Sequence, residues 1–97
     1  MTFDLSCIYD SRQNFYGKAR VEVVSNNNVV DYRLYSYGTL VGKKTQVYGT
    51  GVITYNYFGK YSQTTTRHQK EFFRQCGLTW DEIDKLFKEG SLIKEVK

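Results

Sequence analysis

With 97 residues, the chain is long enough for one domain and too short for a second hydrophobic core. Its apolar runs stay well below the roughly 18 residues that cross a bilayer, and its first residues lack the basic leader and apolar block of a secretory signal, so we expect a cytoplasmic protein with no membrane partner. The formal net charge of +4 permits a nucleic acid as partner but does not require one.

The first part of the chain predicts strands and turns. Residues 3–9 alternate apolar and polar side chains, as a half-buried strand does. Residues 10–14 are polar and predict a connection. Two antiparallel strands are predicted over residues 15–24 and 29–37, because the asparagine-rich segment 25–28 between them tolerates the positive φ of a tight turn.

The apolar residues of this hairpin predict its register and its two faces. With Val24 opposite Val29, Val21 lies opposite Tyr32. A shift by one residue would set Val21 against Arg33 and spoil the apolar face. The opposite face is aromatic and mostly basic, and it carries Tyr16, Lys18, Arg20, Glu22, Asp31, Arg33, Tyr35 and Tyr37. If the helices pack on the Val21 face, the basic aromatic face is exposed.

Two further strands are predicted after the hairpin. A short strand over residues 39–41 is followed by a predicted turn at residues 42–44. Residues 45–55 are rich in β-branched and aromatic side chains, which favours a longer strand. Gly49 and Gly51 inside that strand suggest a bulge or a close approach of the backbone.

The apolar pattern changes near residue 62 from the period of a strand to that of a helix. A helix is predicted over residues 64–76, with a capping box formed by Thr66 and Gln69 at its start and Gly77 at its end.

A second capping box, Thr79-x-x-Glu82, opens a predicted helix over residues 80–88 that ends before Gly90. The sequence therefore predicts an α+β fold, with an antiparallel sheet of about four to five strands followed by two C-terminal helices. The single domain spans residues 1–97, of which 1–62 are mainly β, 63–90 are mainly α and 91–97 form a tail.

The sequence contains no recognisable catalytic or metal-binding constellation. His68 is the only histidine, and a general base needs a partner that orients it. One histidine and two distant cysteines, Cys7 and Cys76, do not supply the three or four ligands of a metal site. We therefore expect no enzyme activity, no metal and no cofactor. His68 is expected to pack its ring against the sheet, with a binding contact as the alternative.

Two groups of side chains are candidates for binding a partner or an anion. The start of a helix can hold a phosphate or carboxylate, although capping alone also explains a hydroxyl run there. The residues of this first group are Lys60, Ser62, Thr64, Thr65, Arg67 and His68. A basic aromatic strand face can stack bases and neutralise phosphates. The residues of this second group are Lys18, Arg20, Arg33, Tyr35 and Tyr37.

Three segments of the chain form a recognisable set: FYGKA at 15–19, SYGTLV at 36–41 and YSQTTTRHQKEF at 61–72. They resemble a family of small, largely uncharacterised proteins encoded by phages, plasmids and integrated elements of bacteria. Gly42 stands where that family's pattern usually has alanine. The resemblance implies a mobile-element accessory protein inside a bacterial cell, and it carries no established activity.

For such a protein we expect stoichiometric binding to a host protein or ribonucleoprotein complex. A CRISPR effector is the most specific candidate, which would make the protein an anti-CRISPR or other counter-defence inhibitor. Mimicry of DNA is disfavoured because the chain is basic. The alternative is a nucleic-acid-binding regulatory protein that uses the basic, tyrosine-rich face. Exposed edge strands also allow a homodimer.

Overall fold

The computed structural model describes residues 1–11 and 14–95, and this part of the chain forms six strands and two helices. The elements are β1 (Thr2–Asp4), β2 (Ala19–Asn26), β3 (Val29–Ser36), β4 (Thr39–Val47), β5 (Val52–Tyr57), α1 (Gln63–Gln75), α2 (Trp80–Glu89) and β6 (Ser91–Glu95). All six strands pair in chain order in one antiparallel sheet. The predicted α+β class is confirmed, with six strands where about four to five were expected.

Both helices pack on one face of the sheet, where the hydrophobic core lies. Phe72 and Phe73 of α1 and Ile83 and Leu86 of α2 are at most 3% exposed, and Val21 faces them from β2 with 2% exposed. Because side chains alternate between the faces of a strand, the neighbours of Val21 point away from the helices. The basic aromatic face of the hairpin is therefore the open face of the sheet.

The β2–β3 hairpin forms two residues out of the predicted register. Val21 lies opposite Leu34 rather than Tyr32, and the turn consists only of Asn27 and Asn28. Asn27 has a φ of 54°, as the tight turns that suit the twist of a hairpin require. Since the shift is by two residues, every side chain keeps its predicted face.

The predicted turns after this hairpin were misplaced. β4 continues through residues 42–44, which were predicted to be a turn, and Gly49 and Gly51 lie in the β4–β5 turn rather than in a bulge. Long-range pairing of β4 with both β3 and β5 overrides the local turn preference of its glycine and lysines.

The irregularity of the sheet lies between β3 and β4. Leu34 pairs with Gly42, whereas the next residue, Tyr35, pairs with Leu40. Gly42 faces the core at this bulge, and an added Cβ would lie 3.0 Å from Cζ of Phe73. The missing side chain therefore allows the phenyl ring of α1 to approach the sheet backbone.

Helix α1 begins earlier than predicted. The hydroxyl of Ser62 caps it and accepts a hydrogen bond of 3.1 Å from the backbone N–H of Thr65. Thr66, the predicted cap, lies inside the helix and donates its hydroxyl proton to the carbonyl of Ser62. The predicted end is confirmed, because Gly77 follows the last turn with a φ of 100°.

Both ends of α2 agree with the sequence prediction. The hydroxyl of Thr79 accepts from the backbone N–H of Glu82, and the Glu82 carboxylate accepts from the backbone N–H of Thr79. Gly90 ends the helix with a φ of 86°. Among the described residues, neither helix is long and apolar enough to cross a bilayer.

The two ends of the chain differ from their predictions. The first strand was predicted over residues 3–9 but stops at Asp4, and the chain then turns onto α1, where Glu71 accepts hydrogen bonds from three consecutive backbone N–H groups. The connection predicted at residues 10–14 lies partly outside the described residues, as do the last two residues of the predicted tail. The rest of that tail forms β6, which pairs with β5.

Candidate functional site

The three segments singled out in the sequence meet at one end of the sheet. The turn at residues 15–18 precedes β2, the turn at 36–39 joins β3 to β4, and α1 starts beside them. The backbone N–H of Tyr37 donates to the carbonyl of Lys18 at 2.8 Å. The His68 ring lies between Phe15 and Tyr37, with ring centroids 4.5 and 5.8 Å away.

A buried hydrogen-bond network connects these segments. The Ser36 hydroxyl oxygen lies 2.7 Å from Nδ1 of His68 and 2.9 Å from Oγ1 of Thr65. Ser62 extends the network, since its hydroxyl donates to Oγ1 of Thr65 at 3.3 Å. His68 therefore packs its ring against the sheet, as we expected from the sequence.

A hydroxyl beside an imidazole is also the arrangement of a nucleophile and its base. Here Ser36 is only 2% exposed and His68 only 1% exposed, so the hydroxyl is hardly accessible from solvent. The pair is suited to joining α1 to the sheet rather than to attacking a substrate.

The two turns around this network both present a tyrosine with an unusual backbone conformation. Tyr16 has a φ of 53° and Tyr37 a φ of 52°, and each is followed by a glycine with positive φ. A left-handed backbone costs a bulky L-residue roughly 1–2 kcal/mol. The two residues are nonetheless 79% and 58% exposed. We call the segments 15–18 and 36–39 the tyrosine turns.

The sequence placed Tyr16 on the basic aromatic face of the hairpin but did not predict the turn in which it lies. Tyrosine is not a usual residue for positive φ, so the Tyr-Gly dipeptide is a weak turn signal compared with Asn-Gly. The signal that could have found it is the repetition of Tyr-Gly at 16–17 and 37–38. Lys18, which was predicted, is exposed in the first tyrosine turn.

A second set of predicted residues lies on the open face of the sheet, where the cations have carboxylate partners. A guanidinium nitrogen of Arg33 lies 3.2 Å from Oδ2 of Asp31 and another lies 3.7 Å from Glu22, and the Asp31 hydrogen bond raises the pKa of Arg33. The Tyr35 hydroxyl donates to Glu22 at 3.3 Å.

Arg20, on the same face, lies 3.5 Å from Asp4. The open face is therefore of mixed charge rather than purely basic.

The remaining predicted residues line the solvent side of α1. Arg67 and Lys60 border a shallow groove along the start of the helix, and Arg67 also lies 3.4 Å from Oδ1 of Asp10. Thr64 is half-buried in the first turn. The structure therefore brings together Lys18, Tyr37, Ser62, Thr65 and His68, and it places the other six predicted residues elsewhere.

The described residues show no metal centre, and the thiol of Cys76 is a poor nucleophile. No group of three or more His, Cys, Asp or Glu side chains in residues 1–11 and 14–95 is arranged to hold a metal ion. Burial raises the pKa of the Cys76 thiol to about 12. This thiol therefore stays protonated near neutral pH and is a poor nucleophile.

Comparison with known proteins identifies the family. The family described as a family of unknown function, DUF8033, matches residues 3–89, so the chain belongs to it. The match includes both tyrosine turns and all of α1. No curated protein and no solved structure matches the chain.

Proposed function

We propose that this DUF8033 protein acts in the cytoplasm of a bacterial host cell by stoichiometric binding to a host protein or ribonucleoprotein complex, with the tyrosine turns as its contact surface. The observation that carries this proposal is the pair of exposed rings at Tyr16 and Tyr37, both on a left-handed backbone. Glycine or asparagine would adopt this conformation more readily. Strain of this kind concentrates at functional positions, and here it supports a role for the rings outside the chain.

The tyrosine turns have the properties of a protein-binding surface. Tyrosine offers a large contact area and loses little conformational entropy when it is fixed, and it is enriched among the residues that dominate binding energy. The buried contacts of His68 with Ser36 and Phe15 hold the turns from behind. A surface that is fixed before the partner arrives loses less entropy on binding.

A counter-defence inhibitor, such as an anti-CRISPR protein, is the most specific form of this proposal. It is supported by the resemblance of the tyrosine-turn and α1 segments to mobile-element proteins. The net charge of +4 makes mimicry of DNA by an acidic surface unsuitable. Inhibition would therefore proceed by occupying a protein surface of the effector.

Binding of nucleic acid to the open face of the sheet is the less favoured alternative. Arg20 and Arg33 already lie within 4 Å of carboxylates, and a phosphate would have to compete with these groups. Neutralisation of phosphates by cationic side chains supplies most of the free energy of non-specific binding. The carboxylates beside Arg20 and Arg33 would reduce this contribution.

The test replaces the tyrosines with asparagine, which tolerates a left-handed backbone. Two variants are made, Tyr16→Asn alone and Tyr16→Asn together with Tyr37→Asn. Both should keep the conformation of the turns while the aromatic rings are removed. Partners captured from a host lysate by the wild-type chain are identified by mass spectrometry, and the affinity of each variant for them is measured. We expect Tyr16→Asn to unfold at the same or a higher urea concentration than wild type. We also expect the double variant to lose at least about tenfold in affinity, the equivalent of about 1.4 kcal/mol.

Tyr48→Asn is the matched control, because Tyr48 is 57% exposed in the β4–β5 turn and its φ is not positive. It should bind like wild type. Full affinity in the double variant would refute a role for the tyrosine turns. Tight binding of bare oligonucleotide that falls steeply with salt, with no protein captured, would favour the nucleic-acid alternative.

A further inference from the structure

A cleft of about 210 Å³ opens on the helix-covered side of the sheet, against the last turn of α1. Its walls are largely apolar and include Leu5, Val21, Tyr32 and Phe72. None of its lining residues belongs to the tyrosine turns, so this is a separate feature of the molecule. Small-molecule sites are typically concave and apolar, with a few polar groups that orient the ligand.

Lys44 supplies the positive charge of this cleft. It pairs with Tyr32 on one neighbouring strand and with Tyr55 on the other, which places its side chain on the same face as the core. Its ammonium lies 5.2 Å from the centroid of the Tyr32 ring. No ion pair among residues 1–11 and 14–95 involves Lys44.

The position of Lys44 is unusual for a lysine. Lysine is mostly found in solvent, whereas Lys44 is half-buried on the core side of the sheet, and the adjacent Lys43, also half-buried, lies on the open face. A methionine or leucine at position 44 would fill the cleft without leaving an ammonium beside apolar walls. A cation that faces an apolar cleft and has no carboxylate partner in the described chain is complementary to an anion with an apolar body.

We propose that this cleft binds a small monocarboxylate that carries one aromatic ring, with the carboxylate on the Lys44 ammonium and the ring against Tyr32 and Phe72. The volume fits this class of ligand, since an apolar cavity of roughly 150 Å³ holds benzene and the cleft adds room for a short acid group. A hydrogen bond between two charged groups is shorter and stronger than a neutral one, so the carboxylate would fix the orientation of the ring.

Binding is non-covalent. The cleft also contains the thiol of Cys76, which burial keeps protonated. An aryl carboxylate has no leaving group for this thiol to displace. The proposal does not depend on the function assigned to the tyrosine turns, and either can fail without the other.

The probe is phenylacetate, titrated into the full chain while backbone and aromatic chemical shifts are recorded by NMR. We expect saturable shifts at Tyr32 and Phe72 at millimolar phenylacetate. Phenylacetamide, which has the same ring and no charge, should bind at least tenfold more weakly. Absence of saturation, equal binding of the amide, or shifts confined to other parts of the chain would each overturn the proposal.

Lys44→Met removes the charge and keeps most of the side-chain volume, and Lys43→Met is the matched control on the opposite face of the same strand. We expect the affinity for phenylacetate to fall at least tenfold in Lys44→Met and to stay unchanged in Lys43→Met. Equal losses in the two variants would show a general effect of net charge and would contradict the assignment. If Lys44→Met fails to fold, the comparison of acid with amide on the wild-type chain still decides the question.

Discussion

Nδ1 of His68 lies 2.7 Å from the hydroxyl oxygen of Ser36, and both side chains are at most 2% exposed. This contact joins the second turn of α1 to the last residue of β3, which is also the first residue of the tyrosine turn that carries Tyr37. The same serine contacts Thr65 at 2.9 Å. One buried hydroxyl thus links the helix to the strand end from which the proposed contact surface projects.

Ser36→Ala is expected to destabilise the chain. It removes the buried hydrogen bonds that the hydroxyl makes with His68 Nδ1 and with Thr65, and two such bonds together contribute about 1–3 kcal/mol. The free energy of unfolding, measured in urea by circular dichroism, should fall by about that amount. Ser25→Ala is the control, because Ser25 is exposed near the β2–β3 turn. A loss in Ser36→Ala no larger than in Ser25→Ala would show that the buried network contributes nothing to stability.

Gly42→Ala is expected to destabilise the chain through a steric conflict. The new Cβ would lie 3.0 Å from Cζ of Phe73, a ring that is fully buried and cannot move freely. Overpacking of a filled core costs about 1–3 kcal/mol. Gly49→Ala is the matched control, since the nearest heavy atom to its Cβ would lie 3.9 Å away. Thermal unfolding distinguishes the two variants, and equal melting temperatures would contradict the close packing of Phe73 on Gly42.

Helix α1 is capped by Ser62 in the structure, whereas the sequence predicted Thr66 as the cap. Replacing each residue with alanine tests which of the two caps the helix. Ser62→Ala removes the hydroxyl that accepts from the backbone N–H of Thr65, and loss of a cap costs about 1 kcal/mol. Thr66→Ala alters a residue inside the helix and should change the free energy of unfolding by less than about 0.5 kcal/mol. Urea denaturation of the two variants measures both values. The opposite ranking would place the start of α1 at Thr66.

The elements that the sequence predicted well are those determined by local contacts. The capping box of Thr79 and Glu82 satisfies both of its backbone donors within four residues. The two faces of the β2–β3 hairpin follow from the period of two in its side chains. The same period made the register ambiguous, because a slip of two residues leaves each face unchanged.

The elements that the sequence did not predict depend on contacts between distant residues. Strand β6 has only five residues, and its partner β5 lies before both helices. The local sequence does not decide whether Ser62 or Thr66 caps α1, because the hydroxyl of either residue can accept a hydrogen bond from the first turn. Of the site, the sequence identified Lys18, Tyr37, Ser62, Thr65 and His68. The left-handed conformation of Tyr16 opposes its local preference and is visible only in the folded chain.

Strand β6 is held to α2 by an ion pair whose strength should depend on pH. Nζ of Lys94 lies 2.6 Å from Oε2 of Glu82. The hydrogen bond from Lys94, followed by that from the backbone of Thr79, lowers the pKa of the Glu82 carboxyl below its ordinary value of 4.5. Because this pKa is lower in the folded chain than in the unfolded chain, the charge on Glu82 stabilises the fold above pH 4.5. That contribution is lost as the pH falls through the lowered pKa.

We therefore expect Glu82→Gln to unfold at a lower urea concentration than wild type near neutral pH. The difference between the two chains should shrink well below pH 4.5, where the wild-type carboxyl is also neutral. Glu89→Gln is the control, because the Glu89 side chain is 54% exposed and lies 4.0 Å from Lys85, a geometry that contributes little. A pH-independent difference for Glu82→Gln would show that the capping hydrogen bond alone, and not the charge pair with Lys94, accounts for the stabilising effect of this residue.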